Sequence, residues 1–250
     1  MQLLANRCSG FLAAYRNADY DFGSNGELFV LRTLSRFPIQ TVFDAGANIG
    51  DWTRAAADAF PQAQIYSFEI CRNTFAQLER HTAGLAGVHP VQTGLSDRDG
   101  TVKLHYYAEH PVLTTVLDYP HGFESTEITE PVTTGDRFCA ANGISHIDLL
   151  KVDVEGMDHL VLQGFDGLLQ AGAVDVVQFE YGQGNILTKF LLYDFCRFFE
   201  DRGYAVGKIY PNYVDFRAYA MTDEDFIGPN FLACRQAKPE YLEALANARR

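Results

Sequence analysis

The chain has 250 residues, 47% apolar, 13% aromatic and 21% charged, which supplies a packed core and excludes a disordered chain, a collagen or a coiled coil. Lys and Arg number 20 against 32 Asp and Glu, a net charge of -12, so neither phosphate backbones nor anionic lipid attract the chain as a whole, and nucleic acid and membrane are not expected partners. The five cysteines (Cys8, Cys71, Cys139, Cys196 and Cys234) form no C-x-x-C pair or zinc spacing and read as reduced thiols. No run reaches the ~18 apolar residues of a membrane helix, and the first residues lack a signal-peptide pattern. A cytoplasmic protein is expected.

Residues 1–37 read as a helical lead-in, with apolar groups at helical spacing over Gly26–Leu34 and a stop at Pro38. Thr41–Asp44 is a β-rich run ending in glycines, followed by an Ala-rich helix from Asp51 to Phe60. A second strand at Ile65–Glu69 leads into a helix over Asn73–His81. Val88–Leu95 reads as a third strand, and Thr101–Tyr107 alternates like its hairpin partner across the turn Asp97–Gly100. Ala108–Thr134 has no clear period and reads as an irregular or β-rich excursion. A strand at Ile147–Asp153, a helix over Met157–Leu169 and a strand at Val174–Glu180 resume the rhythm. A helix over Thr188–Arg202 and strands near Tyr204–Tyr210 and Asn230–Arg235 follow. The tail from 237 to 250 reads as a solvated helix, and the aromatics Tyr210, Tyr213 and Phe216 as core and edge packing or an acceptor wall.

Alternating strands and helices imply an α/β fold with a mostly parallel sheet covered on both faces. Ligands of such sheets sit beyond the carboxyl ends of the strands, here Asp44–Gly50, Glu69, Leu95–Ser96, Asp153–Gly156 and Glu180–Gly182. The glycines of Asp44–Gly50 allow a tight turn and close backbone approach. Glu69, at the next strand end, suits the two hydroxyls of a ribose. The loop reads G-x-x-x-G instead of the dinucleotide pattern G-x-G-x-x-G. Asp44 and Asp51 would repel a pyrophosphate and attract a cation, which favours S-adenosyl-L-methionine over NAD. The bland alternatives are Asp44 as a holder of loop N–H groups and Glu69 as an exposed strand-end acid.

Asp44–Thr53 resembles the cofactor loop of FkbM-type S-adenosylmethionine-dependent methyltransferases. So do Gly94–Asp97 with Gly100, Leu150–Gly156, Gln178–Tyr181 and Asn230–Ala233. The likeness runs from about 38 to 236, and departs where Ile70-Cys71-Arg72, Asp158 and Thr134-Gly135-Asp136 stand. It implies a Rossmann-like class I methyltransferase fold with a mostly parallel seven-stranded sheet, and a methyltransferase domain over 38–236. It also implies methyl transfer mainly to oxygen of sugars or secondary metabolites. The cofactor residues would be Asp44, Ala45, Gly46, Asn48, Gly50, Thr53, Glu69, Leu95, Ser96 and Asp153.

Transfer from a sulfonium leaves a neutral group, so no acid is needed, while a hydroxyl acceptor gains from a base. Asp153 and Glu155 follow the fourth strand and Glu180 the fifth, with His159 four residues beyond Glu155. These four are the candidate catalytic residues, with cofactor holding (Asp153), helix capping (Glu155) and a plain helix-face His159 as alternatives. Asp153, Glu155 and Glu180 could gather around Mg²⁺, but their spacing is not diagnostic and no metal is expected. A NAD-linked sugar dehydrogenase or epimerase, and a non-catalytic nucleoside-binding scaffold, are the competing readings. A small-molecule acceptor is the expected partner, and homo-oligomerisation stays open.

Overall fold

The computed structural model describes residues 2–107, 114–117 and 123–246. Helices α1 (Gln2–Tyr15) and α2 (Glu27–Leu34) precede β1 (Thr41–Ala45), α3 (Asp51–Ala59), β2 (Gln64–Phe68), α4 (Arg72–Thr82) and β3 (Val88–Val91). Three strands of a second sheet follow, β4 (Gly94–Leu95), β5 (Gly100–Tyr106) and β6 (Thr126–Thr133). The chain then returns through α5 (Gly135–Asn142), β7 (Ile147–Val152), α6 (Asp158–Gly164), α7 (Asp166–Gln170) and β8 (Val174–Glu180). It closes with α8 (Gly184–Thr188), α9 (Leu192–Glu200), β9 (Tyr204–Tyr210), β10 (Tyr213–Phe216), β11 (Asn230–Arg235) and α10 (Pro239–Ala246).

The main sheet has eight strands in the order β10-β9-β11-β8-β7-β1-β2-β3. β1 pairs in parallel with β2 and β7, β2 with β3, and β7 with β8. β11 runs antiparallel between β8 and β9, and β10 is a hairpin strand on the outer edge of β9. Strand order reverses between β1 and β7, so the loops leaving their carboxyl ends diverge and open a crevice there. β7 is buried along its whole length and β8 is apolar over most of its own, as expected of central parallel strands covered on both faces. One core cluster packs α2, α3 and α10 on one face. The other packs the Phe-rich α9 with α5, α6 and α7 on the opposite face.

The sheet therefore has eight strands rather than seven, because the short β10 adds an edge to β9. Val88–Leu95 is not one strand. It divides at Gln92–Thr93, and β4 joins the second sheet, of order β4-β6-β5. β5 consequently pairs with β6, Gly100 opposite Val132, and not with the strand before it. Phe165 interrupts the helix expected over Met157–Leu169, and the segment Lys189–Leu191 interrupts the one after β8. α10 is docked rather than solvated: Tyr241 and Leu245 are buried in the core beside α2. Asp136 has a structural task, since it accepts from the Gly167 and Leu168 N–H groups at 2.8 and 3.0 Å and so caps α7. Part of the Ala108–Thr134 excursion lies outside the described residues; the rest includes β6 and a bridge from Thr115 to His105.

Candidate active site

The loop after β1 is folded tightly over the end of β2. The Gly46 and Ala47 N–H groups both donate to the Phe68 carbonyl, at 3.0 and 2.8 Å. Gly46 has φ +81°, and a Cβ there would lie 1.8 Å from the Asp153 carbonyl oxygen, so only glycine lets the β1 and β7 exits meet. Beneath them lies a buried charge cluster. Thr53 Oγ1 donates to Asp44 Oδ2 at 2.6 Å, and Lys151 Nζ stands 3.4 Å from Asp44 and 3.1 Å from Asp153. Burial alone would lower the Lys151 pKa, but Asp153, Asp44 and Glu27 overcome it and hold the ammonium charged.

Along the carboxyl ends of β2, β1, β7 and β8 lie three compartments of one cleft region that share lining residues: Asp153 lines the first and the middle, Glu155 the first and the third, and Glu180 the middle and the third. The first is lined by Glu69 and by the apolar Ile70, Leu95, Val102 and Val132, the last three from the second sheet. Glu69 Oε2 accepts from the Asn48 N–H at 3.0 Å and Oε1 from the Cys71 N–H at 2.8 Å. Each oxygen keeps a lone pair for a further donor. Burial pushes its pKa up to about 7 against the pull of those bonds. The middle compartment is walled by Gly46, Asn48, Lys151 and Asp153.

The third lies between Glu155, Glu180, Tyr20 and the Gly182–Asn185 turn. Glu155 has φ +54°, an uncommon conformation for a non-glycine residue, and Thr115 Oγ1 donates to its carbonyl at 2.9 Å. Burial first, then Asp153 and Asp158, pushes Glu155 up to about 8. Glu180 is raised by burial and by Asp153, Asp158 and Glu155. Asp158 is 1% exposed; burial and Asp153 push it up to about 7. Its Oδ1 accepts from the Glu180 N–H at 3.2 Å, and its Oδ2 has no partner among the described residues.

Of the residues singled out in the sequence, Gly46, Asn48, Glu69, Leu95, Ser96, Asp153, Glu155 and Glu180 line this cleft. Four others shape it from behind. Asp44 is fully buried and occupied by Thr53 and Lys151, so it does not face a ligand cation as the sequence suggested. Ala45 accepts from the Asp153 N–H at 3.0 Å, Thr53 holds Asp44, and Gly50 fits where a Cβ would meet Leu78 at 2.8 Å. His159 stands apart from all three compartments, stacked on Phe190 at 4.8 Å. Sequence reasoning missed Lys151, Glu27, Tyr20 and Asp158. A lysine inside the apolar run Ile147–Val152 was the available signal, since a buried ammonium needs anions. The carboxylates here do not converge on one point. Among the described residues, ligand-distance clustering of His, Cys, Asp and Glu occurs at His146, Asp148 and Asp175, at the other end of the sheet.

The chain is similar in sequence to known methyltransferases. The methyltransferase FkbM domain matches residues 44–206. Methyltransferase sdnD of Sordaria araneosa is 32% identical over 155 residues, covering 50% of this chain and 60% of that one. Methyltransferase 1 of Beauveria bassiana is 28% identical over 144 residues, covering 50% and 58%. The match thus spans less than two thirds of the length of these curated relatives. A solved FkbM methyltransferase from Methylobacillus flagellatus is 12% identical with a TM-score of 0.49, covering 78% of this chain and 44% of that one. With its family domain matched from the end of β1 into β9, this chain belongs to the FkbM methyltransferase family.

Proposed function

We propose that this chain is an S-adenosylmethionine-dependent methyltransferase that methylates a hydroxyl of a small molecule, a sugar or natural product. One observation carries the reading: Glu69, Asp153 and Glu155 line one and the same cavity as the apolar Ile70, Leu95, Val102 and Val132. The residues present fit the cofactor. Glu69 is a buried carboxylate that accepts from the Asn48 and Cys71 N–H groups, and it has lone pairs for ribose hydroxyls. The apolar first compartment suits a flat base. The middle compartment presents Asp153, its side chain one-third open, to a positively charged ligand end.

When bound, the cofactor supplies an electrophilic methyl on a sulfonium. Everything else falls to the protein. Glu69 and the glycine loop orient, which is the larger part of an in-line displacement. Glu155, raised to about 8, has the basicity to take the acceptor's hydroxyl proton near neutral pH, a contribution of roughly 10²–10⁴ in rate. Glu180, its pKa raised by burial and by the neighbouring carboxyls, lines the same compartment and can hydrogen-bond a second hydroxyl of the acceptor. The turn Gly182–Asn185 adds neutral amides, which suit a polyhydroxy molecule. The test is transfer of label from methyl-labelled cofactor to a panel of sugars, polyols and phenols, with amines and carbon nucleophiles alongside them. Label on oxygen upholds the reading. Label only on nitrogen or carbon acceptors overturns the oxygen assignment, and binding without any transfer overturns catalysis.

A further inference from the structure

The family match begins at residue 44, yet an earlier residue, Tyr20, lines both the middle and the third compartments. The segment that carries it is held on both sides. Asn17 is buried and its Nδ2 donates to the Asn25 carbonyl at 2.7 Å and the Ile209 carbonyl at 3.0 Å. Asp19 accepts from the Asp21 N–H at 2.9 Å and from Ser24 Oγ at 2.7 Å. The phenol end of Tyr20 lies over bare backbone: a Cβ on Gly228 would stand 2.8 Å from its oxygen, and one on Gly182 3.8 Å. Tyr20 is nevertheless 67% exposed. An aromatic side chain presented in this way offers a ligand a large, amphipathic contact at low entropic cost.

The charge of the third compartment is one-sided. Its lining includes the carboxyls of Glu155 and Glu180 and, among the described residues, no Lys or Arg. The remaining polar groups are neutral: Gln183, Asn185 and the backbone of their turn, in which Asn185 Oδ1 accepts from the Gly182 N–H at 2.9 Å. Lys151 lines the middle compartment instead, 3.1 Å from Asp153 and 3.4 Å from Asp44. A phosphate or carboxylate on the acceptor would therefore enter beside two acids with no cation lining the compartment to meet it. Like charges brought together out of water are strongly disfavoured.

We propose that the third compartment takes an uncharged, ring-shaped polyol, a neutral sugar or cyclitol seated on Tyr20, and turns away the phosphorylated and carboxylated forms of the same ring. Such a ring has a face of C–H groups that packs on the Tyr20 aromatic ring. Its hydroxyls meet Glu155, Glu180 and the amides of the turn. The inference rests on the hydroxyl-methylation reading above and narrows its acceptor.

The experiment is label transfer from methyl-labelled cofactor to neutral hexosides and inositols, each beside its phosphate ester and, for the hexoses, its uronic acid. For an accepted ring, kcat/KM should exceed that of its anionic forms at least about a hundredfold. Tyr20→Ala should raise KM for that ring about tenfold, with kcat and S-adenosylhomocysteine affinity each within about threefold. Tyr20→Phe keeps the aromatic ring and should recover most of the loss. A merely structural role would lower melting and move KM, kcat and cofactor affinity together. Anionic rings methylated as well as neutral ones, or a folded Tyr20→Ala chain with the wild-type KM, overturns the proposal while hydroxyl methylation stands. Transfer confined to phenols or open-chain alcohols does the same. A chain that binds S-adenosylhomocysteine but methylates no hydroxyl overturns the reading beneath, and this proposal with it.

Discussion

At the amino-terminal ends of β7 and β8, Asp148 and Asp175 meet His146, Arg235 and Lys238. At the carboxyl ends of the same strands, Asp153 pairs with Lys151, and Glu155, Asp158 and Glu180 stand within the reach of its charge. The first group is closed. Asp175 lies 3.1 Å from His146, 3.3 Å from Arg235 and 2.8 Å from Lys238, and Asp148 accepts the Gln40 and Thr41 N–H groups at 2.8 and 2.9 Å. His146, Asp148 and Asp175 offer ligand atoms within 4.8 Å of one another, but the two neighbouring cations already balance the charge. The second group is open: one ammonium stands among several acids, Asp158 keeps an oxygen without a partner among the described residues, and burial and mutual repulsion raise the pKa values of Glu155, Asp158 and Glu180. Satisfied carboxylates hold a fold together, while under-satisfied ones in a cleft mark a place where a ligand completes the arrangement. Acid count alone would not separate the two ends; counter-charge does.

The largest expected effect is on chemistry at the open end. Glu155→Gln should lower single-turnover methyl transfer about a hundredfold at saturating cofactor, with cofactor affinity and melting near wild type. The backbone strain at this position is the same for both residues, so a wild-type rate would move the base to Glu180. At the closed end, Asp175→Ala should cost about 2 kcal/mol in denaturant unfolding. The cost stays moderate because its partly exposed partners can turn to water. Cofactor affinity should stay within about twofold, and an affinity loss without a stability loss would erase the contrast between the ends. Glu69→Ala should weaken cofactor binding about tenfold through lost charge-assisted bonds, measured by calorimetry on the folded variant.

The smallest effect is one of pH. Glu69, Glu155, Asp158 and Glu180 have folded pKa values raised above those of the unfolded chain, mainly by burial. The folded state therefore binds more protons, and ligand-free stability falls as pH rises toward 8. Melting should drop between pH 6.5 and 8.5, above the range in which His159, whose pKa burial lowers, takes up its proton. Asp158→Asn should flatten that slope and add about 1 kcal/mol at pH 8.5, or roughly 2–4 °C. A melting point that rises over this range would show the open end to be better satisfied than its geometry says.

How much of this was legible follows from what each feature depends on. The β1 turn, Glu69, Asp153 and Glu155 are set by local rules, glycines at a strand exit and acids at strand ends, and their positions on the cleft could be read along the chain. Lys151 was half-legible: its burial followed from its apolar neighbours, but its partners on three different elements did not. Glu27 and Tyr20 left no local signal, because Glu27 meets Gln178 across 151 positions of sequence. The turn Asp97–Gly100 misled, since it resembles a hairpin with β3 although the chain has already crossed to the second sheet at Gly94. β10 was missed because four residues on a sheet edge carry too short an alternation to stand out.

The most direct test of the central claim, that the open end is built for a cationic nucleoside and not a dinucleotide, is calorimetric titration of the ligand-free chain at neutral pH with S-adenosylmethionine, S-adenosylhomocysteine and NAD. The first two should bind, and NAD should not. NAD binding as tight as that of S-adenosylmethionine, or no binding of either adenosyl ligand, would contradict it.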